Sequence, residues 1–279
     1  MLNRLTEAEL PQYAPWAYAL ATTAEHASYP TYMDGIKTRE EFLRRAQRGF
    51  EDEEVLLFRH AGEVCGWIQW YALPEDNYAG TVSFLVEARA DEAAAEFAAH
   101  VARQYPGATL DIGVDGANVL LAHALEQAGF HCIECAVNHT IFFDAYQPRE
   151  AAHASVMQAG EEDDFIRLHT GDGMYWTAER ILDDLPSWRV YLYRGEARPT
   201  AALVCQMDDW PEVFAVFMEG GFCAEAYRSL MTACLNDLHA AGCHHMTYFE
   251  EEDGVLPVLE ALGFVRVGRY LAYRKVLEE

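Results

Sequence analysis

A chain that repeats itself at about half its length has few folds open to it, and this one does. The segment Leu125 to Phe143, LEQAGFHCIECAVNHTIFF, aligns with Leu259 to Leu277, LEALGFVRVGRYLAYRKVL, at an offset of 134 residues. Leu, Glu, Gly and Phe are identical in the two. Each segment reads as the end of a helix, a glycine cap and then two strands. Upstream, Val55 to Tyr71 corresponds to Val190 to Met207. Each is a β-hairpin pattern with glycine in its turn, at Ala61-Gly62 and at Gly195-Glu196. A repeat of this length means one supersecondary plan used twice.

Between these landmarks each half carries a strand and a long helix. TVSFLVE precedes DEAAAEFAAHVARQY, and EVFAVFME precedes AEAYRSLMTACLNDLHAAG. Phe97, Val101 and Tyr105 recur at helical spacing before the Pro106-Gly107 stop. Tyr227, Leu230, Met231, Cys234, Leu235 and Leu238 form one apolar stripe that ends at Gly242. Both stripes read as core packing. A short strand (ATLDIGV; HHMTYFE) and a second helix follow in each half; Pro257 falls in that helix's first turn in the second copy, where a missing N–H is tolerated. The polar stretch around Tyr146 to Ala154 is the join, which predicts domains at 1–146 and 153–279.

The 279 residues hold 45 acids against 20 Lys and Arg, a formal net charge of −25. That balance argues against a phosphate-backbone or anionic-membrane partner and favours a cationic or amine-bearing one. MLNRLTEAEL has no apolar run of the secretory kind, and no stretch has the length of a membrane span. The seven cysteines are odd in number and scattered, which reads as free thiols in a reducing cytoplasm.

The order of elements, twice over, resembles the GNAT acyltransferase superfamily. The residues that carry the likeness are Leu125-Glu126-Gln127-Ala128-Gly129-Phe130 and Leu259-Glu260-Ala261-Leu262-Gly263-Phe264, similar to that family's helix-Gly-Phe-strand ending, together with Asn118 at the start of the first such helix. The resemblance implies an α/β (α+β) class with two GNAT-like domains, each a mixed, mostly antiparallel twisted sheet flanked by helices. It also implies an acyl-CoA-dependent N-acyltransferase, with acetyl-CoA as co-substrate and a small amine as acceptor, in a monomer or homodimer. The rival reading is a non-catalytic module of the same fold that binds a cationic small molecule or a protein.

In that family a glycine-rich loop after the fourth strand offers backbone N–H groups at a helix N-terminus to the cofactor pyrophosphate. The first half has Glu87-Ala88-Arg89-Ala90-Asp91-Glu92 there, with no glycine; its acids are expected to serve the helix terminus instead of a phosphate. The second half has Phe217-Met218-Glu219-Gly220-Gly221-Phe222-Cys223-Ala224, the better candidate for holding acyl-CoA, although no basic residue follows until Arg228. The family's acid tyrosine position is Leu125 in one half and Leu259 in the other, so Tyr248 or water is the candidate proton donor. Glu219, and Glu87 in the other copy, are candidate general bases at the ends of the fourth strands; a solvated surface carboxylate is the competing reading.

Other groupings are weaker. Cys132, Cys135, His131 and His139 make half a zinc pattern without the second ligand pair, and no metal is expected. Tyr13, Trp16, Tyr18, Tyr29, Tyr32 and Met33, with Met174, Tyr175 and Trp176 in the second half, fall in the region that walls the family's acceptor site; filling space between helices and sheet explains most of them equally. The acidic runs Glu51 to Glu54 and Glu250 to Asp253 read as solvation and capping.

Overall fold

The computed structural model describes residues 1–30, 38–52, 54–171, 174–195, 198–207, 211–250 and 253–278. Tyr32, Met33, Glu53, Glu196, Glu251 and Glu252, singled out above, lie outside the described residues. In chain order the elements begin β1 (Leu2–Arg4), α1 (Leu10–Ala21), α2 (Arg39–Asp52), β2 (Glu54–His60), β3 (Glu63–Leu73), β4 (Tyr78–Val86), α3 (Ala90–Gln104), β5 (Thr109–Asp115), α4 (Val119–Gln127) and β6 (His131–Phe142). The plan then recurs as β7 (Ala154–Val156), α5 (Glu162–Leu168), α6 (Ala178–Asp183), β8 (Trp188–Arg194), β9 (Pro199–Gln206), β10 (Glu212–Met218), α7 (Ala224–Ala240), β11 (His245–Glu250), α8 (Leu256–Leu262) and β12 (Val265–Val276). None of the described helices is long and apolar enough to cross a membrane.

The four residues shared by the repeat build the same helix terminus twice. The Phe130 amide donates to the Leu125 carbonyl at 3.0 Å and the Gly129 amide to the Glu126 carbonyl at 3.0 Å. In the second copy Phe264 donates to Leu259 at 3.0 Å and Gly263 to Glu260 at 3.1 Å. This pair of bonds closes a helix through a left-handed residue, and both glycines have positive φ, 84° and 106°. Leu125 with Phe130, and Leu259 with Phe264, are buried in the cores beneath. At the other end of α4, Asn118 Oδ1 accepts from the Leu121 amide at 3.2 Å, the cap its identity suggested.

By contact the chain forms two compact units, Met1–Asn138 with Val267–Glu279, and His139–Arg266. They differ from the sequence halves at two places: residues 139–146 go with the second unit and 267–279 with the first. In the first unit the strand order is β1-β2-β3-β4-β5-β12-β6, and in the second β6-β11-β10-β9-β8-β7. The C-terminal strand β12 lies antiparallel to β5, in register from Tyr270 opposite Asp115 to Val276 opposite Thr109. Arg274 bonds both carboxylate oxygens of Asp111 across that ladder, at 2.8 and 2.6 Å. A second departure from expectation is that each Gly-Phe ending leads into one 12-residue strand and not two short ones. Neither segment contains a turn pair, and Gly268 stays in the strand, where an added Cβ would collide with Pro30.

In each unit the strands are covered on both faces. In the first unit Phe84, Phe97, Leu110, Leu125 and Tyr273 are buried on the α3–α4 face, and Leu10, Phe42, Leu57 and Trp67 on the α1–α2 face. In the second, Tyr191, Leu203, Leu230, Met231 and Met246 lie under α7, and Phe165, Ile181, Trp188, Leu192 and Phe217 under α5 and α6. The two helical stripes read from sequence are therefore core, each large side chain contributing about 1.5–3 kcal/mol of burial.

His139 is buried in the second unit, and burial, aided by the Arg266 charge, holds its imidazole below the ordinary value of 6.5. The unfolded chain therefore binds this proton more readily than the native one. The stability it permits is intact above 6.5 and is lost as pH falls below it. Urea unfolding midpoints measured at about pH 7.5 and about pH 5.5 are expected to drop on acidification, and to drop less in His139→Leu. Equal acid sensitivity in both proteins would remove His139 as the cause.

Candidate active site

The fourth and fifth strands of each unit are parallel and part company early. β4 and β5 pair only from Tyr78 opposite Thr109 to Gly80 opposite Asp111. β10 and β11 pair only at Glu212 opposite Thr247 and Val213 opposite Tyr248. Beyond these points the two strands splay and leave a V-shaped gap whose β4 or β10 edge carries unspent backbone groups. Such groups need partners.

In the first unit the protein supplies them. Ser28 Oγ accepts from the Phe84 amide at 2.5 Å, and His26 Nδ1 donates to the Val86 carbonyl at 3.0 Å. On the opposite arm, the Ala27 carbonyl accepts from the Asp115 amide and from Asn118 Nδ2, each at 3.2 Å. Ala27 and Ser28 are buried. Residues 26–28 thus fill the V. Outside it, a cleft of about 320 Å³ remains between residues 86–91 and α4, lined by Glu87, Arg89, Asp91, Asn118, His123 and Gln127. Glu87 Oε2 accepts from Trp16 Nε1 at 3.2 Å. Glu92 does not cap the helix: its carboxylate bonds Arg89 and, at 2.8 Å, His60, and those contacts hold it below the usual carboxylate range.

In the second unit, among the described residues, no segment bonds the free edge of β10. Phe214, Ala215, Val216 and Met218 are half-buried, where the corresponding stretch of β4 is almost wholly buried. At the end of β10, Gly220 and Gly221 take φ of 80° and 98°, a left-handed pair that β-carbon-bearing residues rarely adopt. A Cβ at either would meet nothing within 4 Å, so the turn is open to an approaching group. Cys223 precedes α7 in extended conformation, its side chain caps nothing, and its own amide donates to Met218 Sδ at 3.3 Å. The first α-helical bond is from Tyr227 to the Cys223 carbonyl, which leaves the amides of Ala224, Glu225 and Ala226 without partners within the helix. Phe222 is exposed beside them, its ring tilted against that of Tyr227 with centroids 5.7 Å apart. The 17-residue helix adds its positive end. The set fits a phosphate-bearing group held by main chain.

Glu219 is not a bare carboxylate. Arg167 Nη1 donates to one oxygen at 3.0 Å and Arg198 Nη2 to the other at 2.9 Å, while Arg167 also bonds Asp164 and the Pro199 carbonyl. The sequence suggested no cation before Arg228. The fold brings two from α5 and the β8–β9 turn, too far away in sequence for any local pattern to show. Tyr248 is buried, with Tyr227 and Glu250 as its neighbours, and burial keeps its hydroxyl protonated far above the usual range.

The aromatic residues near the helices divide. Tyr13, Trp16 and Tyr18 pack against the α1–α2 core, and Tyr29 stacks on Tyr270 at 4.9 Å. In the second unit Trp176 packs against Trp188 with its ring tilted, centroids 4.9 Å apart, and Arg180 lies 4.1 Å over the Tyr175 ring. His169, which no sequence pattern marked, sits in this group, its ring 4.5 Å from that of Phe217. Among the described residues, no three His, Cys, Asp or Glu side chains converge on a metal-sized site.

Solved structures resemble the whole chain. A GCN5-related N-acetyltransferase from Sphaerobacter thermophilus matches at 12% identity with a TM-score of 0.69, over 100% of this chain and 96% of that one. A tandem GNAT protein from the clavulanic acid biosynthesis pathway matches at 14% identity and TM-score 0.57, over 99% and 98% of the two chains. A GCN5-related N-acetyltransferase from Kribbella flavida matches at 16% identity and TM-score 0.56, over 83% and 92%. No family model matches the chain, and no curated protein matches its sequence. The fold is that of the GCN5-related N-acetyltransferases.

The filled V makes a direct stability prediction. Ser28→Ala leaves the Phe84 amide buried without an acceptor, a loss of about 1–3 kcal/mol. Chemical denaturation of the variant reads it; an unchanged midpoint would mean that residues 26–28 are dispensable to the first unit.

Proposed function

We propose that the chain is an acyl-CoA-dependent N-acyltransferase, acetyl-CoA being the preferred thioester, that acts on a small amine in its second unit. The observation that carries this reading is the contrast between the two gaps: the protein's own residues occupy the one beside β4, and among the described residues none occupies the one beside β10. An open strand edge suits the amides of a cofactor arm, and the Gly220-Gly221 turn with the α7 N-terminus suits its phosphates. Phe217 and Met218 line the approach from β10, and Phe222, Cys223 and Ala224 the outer end. Glu219 serves by fixing Arg167 and Arg198 at the mouth. The departing thiolate is a good leaving group and takes its proton from the attacking nitrogen by way of water, with Tyr248 held in reserve in the core. The surplus of 25 negative charges favours approach of an ammonium.

Isothermal titration with acetyl-CoA is expected to show one site per chain, the second unit's alone. Gly221→Val, which cannot keep a φ of 98° without strain, is expected to weaken binding by about tenfold, the equivalent of one lost hydrogen bond to a charged group. No heat at saturating cofactor, or two equivalent sites, would end the proposal.

A second reading has its own support. Both oxygens of Glu219 are engaged, and one of the two strand gaps is filled, as in a module that binds and does not turn over. A thermal-shift comparison of polyamines with acyl-CoAs separates the two. Stabilisation by thioesters supports the enzyme, and stabilisation by amines alone supports the binding module.

A further inference from the structure

Resting on that reading of the second unit, we propose that His169, and not Glu219, takes the proton from the acceptor ammonium. His169 follows α5 and lies on the α5–α6 face of the sheet, its ring 4.5 Å from Phe217 of β10 and 5.8 Å from Phe165. The Gly220-Gly221 turn leads instead into α7, which covers the opposite face. A thioester held at α7 and an amine arriving among Trp176, Phe217 and His169 would meet at the end of β10 from opposite sides.

The chemistry of the ring is fixed by one bond. His169 Nε2 lies 3.0 Å from the Trp176 carbonyl. A carbonyl only accepts, so Nε2 carries the hydrogen, and the neutral ring presents Nδ1 as a lone pair. Among the described residues, no hydrogen-bond partner is found for Nδ1, and the residue is half-buried, so this nitrogen stays open to a substrate or to one water. Glu219 is poorly placed for the same work, because both its oxygens already accept from Arg167 and Arg198. Of the elements packed around the ring, α6 carries Glu179, whose carboxylate is within electrostatic reach of His169. Phe165 of α5, Phe217 of β10 and Trp176 of the intervening loop do not titrate.

The step balances simply. Nδ1 accepts one proton from the ammonium. The freed amine nitrogen attacks the thioester carbonyl, the N–C bond forms and the C–S bond breaks. The second nitrogen proton goes to the thiolate through water, and the imidazolium returns its own to solvent.

His169→Gln tests this, because glutamine can still donate to the Trp176 carbonyl but has no base. Release of CoA thiol from acetyl-CoA is followed across pH with putrescine, tyramine and aniline as acceptors. The variant is expected to lose about a hundredfold in kcat with the two alkyl ammonium acceptors near neutrality, to regain rate as pH rises, and to differ little from wild type with aniline, which is already neutral. Acetyl-CoA affinity by titration is expected to stay within about twofold. Nitrogen-15 spectra of wild type should show the Nε2–H tautomer and a shift of Nδ1 when putrescine or tyramine is added. Loss of acetyl-CoA binding in wild type overturns the cofactor reading itself. Normal binding with equal wild-type and variant pH profiles, the Nδ1–H tautomer, or no amine-induced shift together with no turnover, overturns the role of His169 alone.

Discussion

Both halves of this chain depend on the same interruption: a parallel pair of strands that holds for two or three residue pairs and then opens. Strand edges inside a protein cannot stay unsatisfied, so whatever stands in the gap is a structural necessity before it is a functional one. One copy answers with its own chain, a serine hydroxyl, a histidine nitrogen and a backbone carbonyl at residues 26–28. In the other, among the described residues, no segment bonds that edge. Duplication of a fold allows this division, since one copy can be spent on rigidity while the other keeps its opening.

Much of the architecture was legible in the residues. Leu, Glu, Gly and Phe at a fixed offset proved to be the atoms of a helix terminus made twice, and the hairpins and helical stripes followed local periodicity. What escaped is what local pattern cannot carry. The two Gly-Phe endings look alike, so nothing in them says that Val267–Glu279 completes the first unit. Arg167 and Arg198 reach Glu219 across 52 and 21 residues. His169 stands alone, with no spacing to mark it, and becomes noticeable only when Phe217 and the Trp176 carbonyl are placed around it. The filling of the first gap by an Ala-Ser pair has no signature, because small residues in a loop are unremarkable until a strand edge is found beside them.

The acidic composition also looks different at close range. Two carboxylates near the second gap are locally matched: Glu219 by two arginines and Asp164 by one of the same pair. Exposed pairs of this kind add little to stability. They set geometry and leave the long-range field negative, which draws cations toward the surface.

The position of β12 has a consequence for how the molecule is made. The sheet of the first unit waits for residues 267–279, so the ribosome must deliver the whole of the second half before the earlier half can finish. Until then the β5 margin is exposed, a hazard of the kind that chaperones exist to cover during synthesis.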